Sequence, residues 1–209
     1  NWLSFSSRNT KMVNQGYIEL CINTIIKHCS KSFRICLIDD ESFSSLMPNW
    51  NIDITKLADP IKSHVRQYAL VNLLYKYGGM CLPNSTIVME DVKPVMEMFL
   101  HDKDFFAVES ISRNKSADSL KFIPDCNIIG ARQGSDVLKE LIEFWQKLIS
   151  TDNTSEMDFL GRFNIKLFEL YNKNEINVIN GKLFGMKDRS GKEILIEDLL
   201  SSEPIQTST

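Results

Sequence analysis

Two adjacent carboxylates, Asp39 and Asp40, close the short apolar run FRICLI at 33–38. At the carboxyl end of a buried strand such a pair is placed to hold a nucleotide base or ribose. The competing use is a solvated turn. Four cations, Arg66, Lys62, Arg8 and Arg132, are candidate anion contacts. For Arg66 the competing use is a helix-side salt bridge to Asp59 or Glu41. The loop Pro83-Asn84-Ser85-Thr86 offers only neutral oxygens, weak ligands for a hard cation without carboxylate help. Glu90 and Asp91 follow several residues later. His28, His64 and His101 show no metal-ligand spacing, which points to structural or surface roles. The five cysteines, at 21, 29, 36, 81 and 126, are odd in number and include no C-x-x-C pair. That argues against zinc and against a disulfide framework, and for a reducing compartment. No G-x-S-x-G, P-loop or H-E-x-x-H motif occurs.

These groups need elements to position them. Residues 17–29 put Ile18, Ile22, Ile25, Ile26 and Cys29 on one helical face. Residues 33–38 read as a buried strand. Pro48 and Asn49-Trp50-Asn51 make a loop. A second helix spans 61–77 with apolar positions nearly all the way round, which predicts burial. Gly78-Gly79 stops it, and Met80-Cys81-Leu82 follows as a short strand. Strands are predicted at 105–109, 126–131, 176–179 and 194–196, with a tight turn at Asn180-Gly181 and a polar loop over 111–121. Helix 136–149 is strongly amphipathic, with Asp136 opposing its dipole. A further helix covers 159–171. Strands alternating with helices predict an α/β layered fold with a mixed, mostly parallel sheet.

The chain has 209 residues, 43% hydrophobic and 24% charged, which suits one globular domain over 1–209 with a polar tail at 200–209. A net charge of −3 leaves no broad basic footprint for nucleic acid. No apolar run reaches the length of a membrane span. A cytoplasmic location is expected. The opening at Asn1 reads as that of an excised segment, and a removed anchor would shift the expectation to the Golgi or a membrane.

The most specific stretch is 66–87, in which an early Arg on a buried helix runs into Tyr-Gly-Gly, a short strand and a polar tripeptide. Through Arg66, Leu70, Tyr77, Gly78 and Gly79 it resembles the DXD sugar-binding glycosyltransferases, the group of fungal initiating mannosyltransferases and bacterial capsular polysaccharide enzymes. FRICLIDDESFSSLMP at 33–48 is similar to the family's second strand and acidic loop. CNIIGARQGSDVLKELIEFW at 126–145 is similar to its strand, turn and helix. NWLSFSSR and the YGGM variant loosely resemble glycosyltransferase-like proteins of large DNA viruses.

The resemblance implies a GT-A-like, Rossmann-type sandwich that transfers a sugar from a UDP- or GDP-linked donor to a glycan or protein acceptor. It implies nucleotide-sugar contacts at Arg66, Asp39, Asp40, Asn84, Ser85 and Gly79. The family's D-x-D carboxylates hold Mn²⁺ or Mg²⁺, but Pro83 and Ser85 stand at those positions and Ser63 replaces an upstream Asp. No metal is therefore expected to be required, unless carboxylates outside 83–86 serve. Asn127, where members place an acceptor-side residue, and Asp158, beside Glu156 in the 151–160 loop, are the weak catalytic candidates. The alternative is a catalytically silent binding or structural module.

Overall fold

The computed structural model describes residues 16–59, 61–110, 122–151, 156–199, 201–202 and 204–206. The chain divides into two compact units. One comprises residues up to Cys36 together with Pro83–Pro94, and the other comprises Leu37–Leu82 together with the chain from Val95 onward.

In the smaller unit, helix α1 (Gly16–Cys29) buries Cys21 and Cys29. The irregular stretch after Thr86 is sewn to it by side chains. The amide of the buried Val88 donates to Thr24 Oγ1 at 3.0 Å. The Ser32 hydroxyl donates to Asp91, whose carboxylate also accepts from the Lys93 amide at 3.0 Å. Lys93 opens helix α4 (Lys93–Phe99).

The expected strand at 33–38 does not form; residues 34–39 have no regular structure, and Leu37 is 67% exposed. β-branched and aromatic residues favour a strand only where a pleated neighbour receives them. The expected strand at 194–196 is also absent. Its last residue opens helix α7 (Ile196–Leu199).

The larger unit holds a four-stranded sheet of β1 (Gly79–Cys81), β2 (Phe105–Ser110), β3 (Ile123–Ala131) and β4 (Asn177–Ile179), in the order β1-β3-β2-β4. β3 is antiparallel to both neighbours and only β2–β4 is parallel. The sheet is thus mixed but mostly antiparallel, contrary to the mostly parallel sheet expected. β2 and β3 are consecutive in sequence and adjacent in the sheet, the arrangement in which strands reverse direction. The parallel β4 is reached only after two helices, α5 (Asp136–Ser150) and α6 (Glu156–Asn172). Asn180 does not turn a hairpin; its side chain caps a 3₁₀ turn at Gly181–Phe184.

β2 is buried on both faces. Phe105 and Ala107 pack with Leu141, Trp145 and Phe163 of α5 and α6 and with Leu74 of helix α3 (Ile61–Tyr77). Phe106 and Val108 pack on the other side with Leu100, Ile128 and Ile179. A third cluster joins the outer side of α3, through Val65, Ala69 and Leu73, to Phe43 and Met47 of the α2 region (helix Ser42–Leu46) and to Ile54 in a 3₁₀ turn at Ile54–Lys56.

Gly78 ends α3 with φ +69°, and its amide donates to the Leu74 carbonyl at 2.7 Å. A Cβ there would stand 2.8 Å from the Gln133 nitrogen, so geometry and space both require glycine. Gly130 is paired with Phe106 across β2–β3, and a Cβ on it would lie 2.3 Å from the ring of that fully buried residue. Gly130→Ala should therefore destabilise the protein by about 1–3 kcal/mol through overpacking. A denaturant midpoint lowered at unchanged m-value checks it, and Phe106→Leu in the same chain should recover most of the loss.

Candidate functional site

The N-terminal turns of α3 carry the site. Lys62 and Arg66 lie four residues apart and therefore share a helix face. Both reach Asp40. The Arg66 fork donates through Nε at 2.6 Å and Nη2 at 2.7 Å, and Lys62 Nζ lies 3.5 Å away. The Asp40 side chain is 18% exposed and that of Arg66 44%. The Arg66 hydrogen bonds hold the Asp40 carboxyl below its ordinary range, and the same contact raises the Arg66 guanidinium.

The two adjacent carboxylates have separate uses. Asp39 stays local, accepting from the Ser42 amide at 2.9 Å and from the Ser42 hydroxyl at the start of α2; those bonds lower its carboxyl. Asp40 crosses to α3. Asp59 accepts from Ser63 Oγ at 2.8 Å, so neither Asp59 nor Glu41 is the hydrogen-bonded partner of Arg66.

A second polar group adjoins the first. Gln67 Nε2 donates to Asn127 Oδ1 at 3.4 Å, and Asn127 Nδ2 reaches both Asp125 oxygens at 3.0 and 2.9 Å. A break in strand register exposes Asn127. Ala107 pairs with Ile129, but the next residue, Val108, pairs with Asp125, leaving 126–128 without partners on β2. Such irregularities re-aim side chains. Here Asn127 is turned outward while Cys126 is buried, its thiol pushed up by desolvation.

The structure does not bring every expected site residue to this place. Gly79 begins β1 beyond the far end of α3, whose helical rise from Arg66 to Tyr77 is about 16 Å. Arg132 lies next to Ala131, the residue opposite Gly79, and donates to the carbonyls of Leu100 and His101, away from any diphosphate held at Arg66. Asn84 and Ser85 are exposed in a turn of the smaller unit, closed by the Thr86 amide on the Pro83 carbonyl at 3.1 Å. Asp91 of that unit is used by Ser32 and Lys93. Arg8 and the side chains of Glu156 and Asp158 lie outside the described residues, although the backbone of both acids opens α6.

Among the described residues no group of three or more His, Cys, Asp or Glu is arranged to hold a metal ion. The donor set at α3 is also wrong for one. Asp40 sits between two cations, and a divalent ion there would be repelled by both.

Sequence reasoning missed Glu109, a carboxylate at the end of the apolar run FFAV and only 6% exposed. It accepts from the Gly181 amide at 3.0 Å and pairs with the Lys187 ammonium, tying the 3₁₀ turn to the end of β2. Its signal was a lone acid inside a strand buried on both faces.

Comparison with models of known families, with curated proteins and with solved structures gives no match.

Two outcomes follow from these ion pairs. The folded-state pKa of Asp40 lies below its unfolded value near 3.9. Its stabilisation is therefore present above that value and lost as pH falls through the folded one. Asp40→Asn should cost about 0.5–1 kcal/mol at neutral pH, a figure reduced by solvent screening. In urea titrations the gap between wild type and variant should close below about pH 4. Glu109→Ala should cost about 3–5 kcal/mol because it strands Lys187. Combining it with Lys187→Met should recover part of that loss, read as the denaturant midpoint.

Proposed function

We propose that the chain is a GT-A-like glycosyltransferase-type protein that takes a UDP- or GDP-linked sugar at the N-terminal turns of α3, without a D-x-D metal. The observation that carries this is the pairing of Lys62 and Arg66 over one shared carboxylate on a half-exposed helix face, with Asp59 near enough to act on Arg66 through space. Among the described residues the Nη1 amine of Arg66 has no acceptor, and a phosphate oxygen accepts from such a group in charge-assisted geometry. In transfer, the bond from the sugar's anomeric carbon to the phosphate oxygen breaks as the acceptor hydroxyl attacks and gives its proton to a base. The cation pair takes up charge growing on the leaving diphosphate. Asn127, held by Gln67 and Asp125, lies on the acceptor side, and Asp158 is the candidate base.

The test is calorimetry of UDP-sugars and GDP-sugars in EDTA and then in Mn²⁺. Binding in EDTA is expected. Arg66→Ala should weaken it by about 1.5–3 kcal/mol, the worth of a charged hydrogen bond. Asp40→Asn, which releases the Arg66 fork, should strengthen it severalfold. Binding only with Mn²⁺ would overturn the metal-free form of the proposal, and no binding in either condition would overturn the donor site. The silent-module reading is favoured by one feature, the filling of the Arg66 fork by Asp40. Binding without release of nucleoside diphosphate in the presence of acceptor glycans would decide for it.

A further inference from the structure

We infer that the groove beside α2 is a carbohydrate subsite that holds a pyranose ring against Trp50 and Tyr68. This goes beyond the nucleotide site and does not depend on it, because the groove's walls include neither Lys62 nor Arg66. The groove encloses about 450 Å³, room for one or two sugar rings. It lies wholly within the larger unit, between the 47–52 loop and residues 68, 72, 75 and 76 of α3. The spacing of those four places them on one helix face.

The aromatic wall is preorganised. Trp50 and Tyr68 have ring centroids 5.9 Å apart at 34°, and Phe43 backs Trp50 at 5.9 Å. The indole N–H donates to the Ile52 carbonyl at 2.8 Å, which pins the ring. The Tyr68 hydroxyl accepts from Gln146 Nε2 at 2.6 Å, leaving its own proton to donate. A pyranose presents a face of weakly positive C–H groups, which suits the negative face of an aromatic ring.

The polar edge suits hydroxyl groups. Asn72 spends its amide N–H on the Tyr68 carbonyl at 2.8 Å and keeps its Oδ1 as an acceptor. Asn51 is exposed at the rim, with both donor and acceptor on one amide. Lys76 donates to the Leu46 carbonyl at 2.7 Å and carries two further protons. Among the described residues no carboxylate lines the groove. Neutral and acidic sugars both fit that charge. A proline-rich peptide fits less well, since the indole N–H that would meet a peptide carbonyl is already bonded to Ile52.

The experiment is saturation-transfer NMR and calorimetry with mannotriose, chitotriose and cellotriose, each to about 10 mM, a range that detects millimolar affinity. A proline-rich decapeptide and UMP serve as competitors in the same range. At least one trisaccharide is expected to bind without any nucleotide present. Trp50→Leu, which keeps an apolar side chain beside Phe43, should weaken it about tenfold. Asn51→Ala, at an exposed position, should weaken it about threefold with an unchanged melting temperature. If Trp50→Leu fails to fold, the Asn51→Ala result alone decides. Arg66→Ala should leave trisaccharide affinity unchanged, which separates this subsite from the nucleotide proposal. Absence of binding by all three sugars, wild-type affinity in both groove variants, or binding of only the peptide or UMP would overturn the inference.

Discussion

The indole of Trp145 fixes where α3 can lie, and α3 carries almost every polar group of interest. That indole is fully buried, packs edge-on against Phe163 at 4.0 Å and donates its N–H to the His64 carbonyl at 3.2 Å. One side chain thus holds α5 against α6 and against α3 together. A tryptophan can do this because it combines a large apolar area with one polar atom that needs a partner. The bond reaches α3 in its first turn, two residues from both Lys62 and Arg66. The charged face is therefore anchored at its root, not left to the fraying that affects a free helix end.

From that anchor the helix separates two environments. Its first turns face Asp40 and Asn127, where charge and amides gather in partial contact with water. From Tyr68 onward the same helix turns aromatic and amide groups toward the 47–52 loop. Arg66 and Asn72 stand six residues apart, about 9 Å along the axis. Between and behind them Val65, Ala69 and Leu73 are buried against the α2 region, so the spacing is set by core packing. The sequence shows this only as a helix with apolar residues nearly all round.

The longer helices, as local objects, were legible, whereas the short helices α2, α4 and α7 were not. The boundaries of α1 and α3 fall where the apolar periodicity and Gly78 put them, and α5 ends within a residue of its predicted limit. Strand pairing is non-local and was read less well. FRICLI has the composition of a strand, but no strand forms over 33–38. The parallel sheet was inferred from alternation of elements, which is blind to the reversal between β2 and β3. Arg66 and Asp40 were legible as residue types, yet their bidentate contact spans 26 positions and no periodicity encodes it. Asn127 was legible as a strand-end polar residue, whereas the register break that exposes it follows from how β3 meets β2. Gly79 entered the expected site as part of the Tyr-Gly-Gly match to the family pattern. The length of α3 takes it away.

The balance of charge at Asp40 bears on how such a face works. Two unit charges 4 Å apart interact by about 4 kcal/mol at the effective dielectric of a protein surface. Asp40 satisfies most of the Arg66 fork but only part of the demand of Arg66 and Lys62 taken together. A phosphate carries more charge than a carboxylate and has more acceptor oxygens, so it competes for the same donors on favourable terms. In the proposed complex an incoming anion has to displace or join that single acid, which is why removing the acid is expected to strengthen binding. The cost of that exchange is small because Asp40 is within reach of water and Arg66 is nearly half exposed. A fully buried acid in the same position would hold the cations too firmly for exchange, as Glu109 holds Lys187 at the end of β2.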